Sequence, residues 1–235
     1  MTIVYAIGTG SVWENNELRY SVRSVDKHFS EVNDVVIVGH LPGFLKGVTH
    51  IDFQDVTTRN KERNIFEKVR AAAKQIPGDF LFMNDDHFIT QDSDPSKYPN
   101  YYSCSIHEYL LSHGVTTYSL SVRNALMQLQ RREILDPLFF DVHTPIIYNS
   151  QKFKALKSFN FINKPAPVIK SLYGNMFNVR ATHLIDMKLK RKLSGDELVK
   201  IANKRPVFSI SDSALCQGLT DGLNQLYPFK SKFEK

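Results

Sequence analysis

Three short apolar runs with helical segments between them constrain this chain more than any other feature of its 235 residues. Residues 2–8 (TIVYAIG), 34–39 (DVVIVG) and 80–83 (FLFM) lack the polar alternation of a strand with one wet face. Each therefore predicts a strand buried on both sides. Between the first two, Asn16 is placed to cap a helix in which Leu18, Val22, Val25 and Phe29 form one apolar stripe at helical spacing. Residues 48–53 predict a weaker strand. Residues 59–76 (RNKERNIFEKVRAAAKQI) predict an amphipathic helix with Ile65, Phe66, Val69, Ala72, Ala73 and Ile76 inward, stopped by Pro77-Gly78. The order strand, helix, strand, short strand, helix, strand is that of an α/β protein with a mostly parallel sheet flanked by helices. Such sheets bind ligands beyond the carboxyl ends of their strands.

Two strand ends then demand attention. The run DFLFM ends on Asn84-Asp85-Asp86-His87, two adjacent carboxylates that repel unless a positive group lies near. A hard divalent cation is one such group, because Mg2+ or Mn2+ is commonly held by one or two carboxylates plus the oxygens of a bound diphosphate. Asp86 is the first metal ligand expected, with Asp85 either a second ligand or a hydrogen-bond partner of the substrate. The first strand breaks at Gly8-Thr9-Gly10-Ser11, placed to face the carboxylates across one crevice. Arg19 and Arg23, four apart on the following helix, are expected to share a face beside that loop and to hold phosphate oxygens, with a surface pairing of Arg19 to Glu17 or Asp26 as the alternative. Arg59, Lys61, Arg63 and Asn64 open the second long helix on the same edge, where a helix N-terminus favours anions. His143 follows the apolar run Leu138-Phe139-Phe140 and precedes Thr144-Pro145, so a strand end is expected there too. It is a candidate general base, a third metal ligand, or an ordinary buried histidine. His87 ranks below it. Ser194-Gly195-Asp196-Glu197 reads as a capping box opening a helix to Ala202.

Charge divides the chain. Residues 1–150 carry 14 Lys and Arg against 18 Asp and Glu, and residues 151–235 carry 16 against 6. The second part therefore suits an anionic partner, although a run such as Lys188-Leu189-Lys190-Arg191-Lys192 is equally natural on a solvated surface. No apolar run reaches the roughly 20 residues of a membrane span, and residues 1–10 lack a signal-peptide pattern. A soluble, cytoplasmic protein is expected. Cys104 and Cys216 have no metal-type spacing and are expected to be ordinary small side chains. There is no P-loop, GxGxxG or GxSxG, which disfavours a kinase, an NAD enzyme and an α/β-hydrolase.

Several blocks resemble a known family. NELRYSVRSV at residues 16–25 resembles a helix of the Stealth family of sugar-phosphate transferases. FMNDDHF at 82–88 is similar to its FNDDMF segment, and DVHTP at 141–145 to its histidine-proline region. The ending YPFKSKFE at 227–234, after FSISD at 208–212, is similar to its closing blocks. The chain departs from the family in having Ile7-Gly8-Thr9-Gly10-Ser11 where an acidic V-D-G-S-D opens the pattern, and no clear arginine region stands near Ser171 to Val179. The chain also resembles, more loosely, short sugar transferases encoded by phages, some of which act on modified DNA bases.

The resemblance implies a glycosyltransferase-A-like, Rossmann-related fold across residues 1–235 and a nucleotide-sugar donor with Mn2+ or Mg2+. The donor and metal would be bound by residues 1–150, and a basic helical part at 151–235 would face the acceptor. Asp85, His143 and Asp212 are the catalytic candidates, Asp212 by resemblance alone. Gly8, Thr9, Gly10, Ser11, Arg19, Arg23, Arg63 and Asn84 are the donor-binding candidates, and Asp85 and Asp86 the metal ligands. The expected reaction moves a sugar or sugar phosphate to an acceptor hydroxyl on a polyanion, either a glycan or hydroxymethylated DNA in a bacterial or phage-infected cell. A metal-dependent phosphoesterase and a non-catalytic nucleic-acid-binding module are the alternatives; the first usually needs more ligands, and the second leaves the paired carboxylates without a role.

Overall fold

The structure, a computed structural model, describes residues 1–235 except Arg59 and Lys164. Strand β1 (Thr2–Ile7) leads into helix α1 (Asn16–His28), then β2 (Asp34–Gly39), β3 (Thr49–Ile51), α2 (Lys61–Gln75) and β4 (Asp79–Met83). After β5 (His87–Ile89) and β6 (Tyr101–Tyr102) come α3 (Ile106–Ser112), α4 (Thr117–Gln130), β7 (Ile146–Asn149), α5 (Ser150–Ala155) and α6 (Ile169–Met176). The chain continues through β8 (Thr182–His183), β9 (Lys188–Leu189), α7 (Gly195–Ala202), β10 (Val207–Ile210) and α8 (Gln217–Leu226).

The main sheet has the order β3-β2-β1-β4-β7. Its first four strands are parallel, and β7 closes the edge antiparallel to β4, with Phe82 opposite Ile146. Alternation along these strands splits the core in two. Val4, Val36, Val38, Phe80 and Phe82 pack against α2 and the segments around α4 to α6, while Ile3, Tyr5, Ile7, Val35, Ile37, Leu81 and Met83 pack against α1. Both faces are dry, which is why these strands read as apolar runs. A smaller sheet, β5-β10-β9, carries a third cluster in which Phe88, Leu189 and Phe208 meet Leu198, Leu219 and Leu223 of α7 and α8.

Local details depart from expectation in three places. Helix α1 begins at Asn16, and the cap is Asn15 in a left-handed conformation (φ 59°); Ser11 Oγ accepts from the backbone of Trp13 and Asn15 just before it. Helix α2 begins at Lys61 behind Asn60, whose side chain accepts from Arg63 N; the expected start at Arg59, and any role for that side chain, lies outside the described residues. Leu138-Phe139-Phe140 is not a strand. Leu138 makes one isolated bridge to Ser105, Phe139 exchanges backbone bonds with Ser103 and Cys104, and Phe140 N donates to Ser171 Oγ. The Ser103-Cys104 loop and side chains of α6 thus satisfy the groups that a ladder would have, Leu138 N donating to Asn175 Oδ1 and Phe140 N to Ser171 Oγ, and His143 stands in a bend instead of at a strand end. The capping box at Ser194 and Glu197 is present.

Candidate active site

Asp85 and Asp86 lie in the turn that joins the two sheets, at the carboxyl end of β4 and just before β5. The turn is closed by His87 N donating to the Asn84 carbonyl (3.2 Å) and Asn84 N donating to His87 Nδ1 (3.3 Å). Because Nδ1 accepts, the imidazole proton sits on Nε2, which is buried without a partner 4.0 Å from Asp86 Oδ1. Burial holds His87 well below the usual histidine range.

The two carboxylates are treated differently. Asp86 Oδ2 accepts from Lys188 Nζ (3.1 Å) on β9 and from Ser209 Oγ (3.0 Å) on β10. Burial alone raises the Asp86 carboxyl, but the imidazole of His87 and the ammonium of Lys188 outweigh it and hold it below its ordinary value. Among the described residues Asp85 has no such partner. Burial, then Asp86, then Glu17 push its carboxyl up to about 7, with Lys61 at the start of α2 opposing them in part. Repulsion between neighbours is thus relieved by one lysine on one member and a high proton affinity on the other.

The metal expectation can be tested on these atoms. Among the described residues no three His, Cys, Asp or Glu side chains converge as a protein-only cage. A site completed by a substrate diphosphate needs fewer. Asp86 Oδ1 is buried and unpartnered, and Asp85 is a carboxyl whose ionised form a cation would favour, so the pair fits a hard divalent ion of that kind.

His143 enters from the loop before β7. Its side chain is 29% exposed, and Nδ1 lies 2.8 Å from Asp186 Oδ1, which also accepts from the backbone of His143 and Lys188 at 3.3 Å each. The loop is pinned on both sides of the histidine by Lys170 of α6, whose buried Nζ donates to the carbonyls of Val142 (3.0 Å) and Thr144 (2.6 Å). Burial lowers Lys170 to about 8 against the pull of Asp141 and, more weakly, Asp86 and Asp186. Asp141 in turn accepts from Ser171 N (2.9 Å) and Lys170 N (3.3 Å) at the start of α6. Its charge is within electrostatic reach of Lys170, as His143 is of Asp86.

Other expected residues fall elsewhere. Arg19 and Arg23 share a face, but that face meets Glu234: Arg19 Nη1 donates to Oε2 (3.1 Å), and Arg23 Nε and Nη2 donate to Oε1 and Oε2 (2.8 and 2.9 Å). Both guanidiniums, expected to hold donor phosphate, are thus engaged by an acid more than 200 residues along the chain. Ser11 is engaged in the turn before α1, while Gly8 and Gly10 have open space where a Cβ would stand. Thr9 and Gly10 are exposed. Arg63 contributes its backbone N to the cap of α2. Asp212 is exposed in a 3-10 turn two residues beyond β10, with its carbonyl accepting from Leu215. The residues that sequence reasoning did not assign to the site are Glu17, Lys170, Asp186, Lys188 and Ser209. Lys188 alone left a signal, since it stands between Met187 and Leu189, both buried, and so faces away from them.

No family model matches the chain, and no curated protein does. Solved structures do. The galactosyltransferase LgtC, determined with donor and acceptor sugar analogs, superposes with a TM-score of 0.51 at 10% identity, covering 96% of this chain and 94% of that one. Mouse xyloside xylosyltransferase 1 gives 0.43 at 8% identity over 92% of this chain and 98% of its own. The glycosyltransferase GlyE of Streptococcus pneumoniae gives 0.40 at 12% identity over 79% of this chain and 45% of its own. The chain therefore has a glycosyltransferase-A-like fold: a mixed α/β sheet flanked by helices. Among the described residues no helix is long and apolar enough to cross a membrane.

Proposed function

We propose that this protein is a nucleotide-sugar-dependent glycosyltransferase. The observation that carries the reading is the carboxylate pair at the end of β4 in a glycosyltransferase-A-like fold, with Asp86 fixed by Lys188 and Ser209 while its Oδ1 is buried and unpartnered. The superposable LgtC was determined with sugar donor and acceptor analogs, which supports a sugar-transferring role for the same fold. Asp86 and Asp85 would hold Mn2+ or Mg2+, which supplies positive charge to the diphosphate as it departs. Gly8 to Ser11, Asn84 and Arg63 line the donor side of the crevice in this reading. Lys61 and Lys170 add positive charge near the carboxylates. His143 takes the acceptor proton. Residues 151–235 form the acceptor side, and their excess of basic residues supports a polyanionic acceptor, of which glycan and hydroxymethylated DNA are the two forms. The Stealth resemblance adds the variant in which a sugar phosphate moves.

Incubation with a panel of nucleotide sugars and manganese, with chromatography of the released nucleotide, tests this. Nucleoside diphosphate is the expected product, and nucleoside monophosphate would mean sugar-phosphate transfer. Asp86→Ala should abolish metal-dependent donor binding while the thermal melt stays cooperative; unchanged donor affinity in that variant refutes the site.

A further inference from the structure

We infer that Asp186 is the positioning residue of a histidine–carboxylate dyad with His143, and that this dyad makes the transfer a single displacement that inverts the sugar anomeric centre. The inference rests on the transferase reading above. Asp186 Oδ1 accepts from His143 Nδ1 at 2.8 Å and from the backbone N of the same residue at 3.3 Å. An ionised carboxylate there fixes the tautomer with the proton on Nδ1, leaving the Nε2 lone pair as the basic position. Asp186 is held ionised: burial raises it, but the hydrogen bonds it accepts from His143 and from the backbone of Lys188 outweigh burial and bring it to about 2. Lys170 braces the carbonyls on either side of the histidine, so the ring is held by its backbone as well as by its side chain.

The position suits an acceptor base. His143 lies within electrostatic reach of Asp86 and His87, the residues that bound the proposed donor site, yet it arrives from a separate loop and keeps 29% of its side chain exposed. A base on the acceptor side, apart from the carboxylates on the donor side, is what a direct displacement requires. The acceptor O–H proton passes to Nε2, the acceptor oxygen forms a bond to the anomeric carbon, and the bond from that carbon to the diphosphate oxygen breaks. The nucleoside diphosphate leaves with the electron pair, and the histidinium charge is met by Asp186. Attack opposite the leaving group inverts the centre. A double displacement would instead need a nucleophile on the donor side; Asp86 is tied to Lys188 and Ser209, and in the transferase reading both Asp86 and Asp85 would be committed to the metal.

The test uses the full chain with manganese and UDP-, GDP-, CDP- and ADP-linked α-hexoses in dilute methanol, because a methyl glycoside cannot mutarotate and keeps a record of the anomeric outcome by NMR. Methyl β-hexoside is the expected product. Methyl α-hexoside overturns the inference while leaving the transferase reading intact, and no consumption of any donor removes both. Asp186→Asn presents an amide N–H toward Nδ1 and selects the wrong tautomer, so kcat should fall on the order of 100-fold or more with donor KM changed less than about threefold. Asp186→Glu should retain more of kcat than the asparagine variant. Wild-type kcat in Asp186→Asn, or a loss carried by KM alone, overturns the inference.

Discussion

Removing the Glu234 carboxylate should destabilise the protein far more than the loss of a surface ion pair would. Its side chain is fully buried and accepts three guanidinium hydrogen bonds from Arg19 and Arg23, plus one from Ser231 N at 3.0 Å. Arg23 is only 12% exposed, so Glu234→Ala leaves a largely desolvated guanidinium and an unpaired amide. Breaking a buried pair from one side costs about 3–5 kcal/mol, against about 1 kcal/mol or less for an exposed pair. At about 2–4 °C per kcal/mol for a chain of this size, the melting temperature should drop by roughly 6–20 °C. Urea unfolding at pH 7, in a double-mutant cycle with Arg23→Ala, measures it; the double variant should cost less than the two singles together. The pH dependence has a fixed sign. Burial raises the Glu234 carboxyl, but its bonds with Arg23 and Ser231 outweigh burial and depress it below its ordinary 4.5, so the stability is present above that value and lost as pH falls through the folded one. A cost below about 1 kcal/mol at pH 7, with an additive cycle, would refute the buried clasp.

Two further outcomes follow from charges elsewhere. Burial, with Asp141 adding, pushes Glu62 up from 4.5 to about 7, so the folded state binds its proton more tightly and wild-type stability falls as pH rises from 4.5 towards 7. Glu62→Gln should therefore match wild type near pH 4.5 and exceed it by about 2 kcal/mol at pH 8, after discounting a partly exposed group; equal stability at both pH values in thermal melts would contradict this. If duplex DNA binds through the exposed Lys190, Arg191, Lys192 and Lys200, affinity should drop on the order of 100-fold between 50 and 200 mM salt. Fluorescence anisotropy showing no binding at low salt, or salt-independent binding, would exclude the DNA acceptor.

The legible parts of the fold are those whose burial leaves a local trace. Strands β1, β2 and β4 are dry on both faces, so each is an apolar run, and α2 repeats its apolar positions at the helical period. Strands β6, β8 and β9 have two residues each and leave no period to read. Leu138 to Phe140 has the apolar character of a strand, but a loop and side chains of α6 supply its hydrogen bonds. The site divides the same way. Asp85 and Asp86 announce themselves because charge interrupts an apolar run, whereas Lys188 and Ser209 reach Asp86 across 102 and 123 residues. The four-residue spacing of Arg19 and Arg23 correctly placed them on one face, yet nothing local says that the face will meet Glu234.

The turn holding Asp85 and Asp86 is also the junction where β4 of the large sheet hands over to β5 of the small one. Lys188 and Ser209 tie Asp86 to the small sheet from β9 and β10, while its own backbone continues from β4 of the large one. Ile89 of β5 and Val207 of β10 share a core with Ile3, Tyr5 and Leu81, so the carboxylate is held at a seam that both sheets fix.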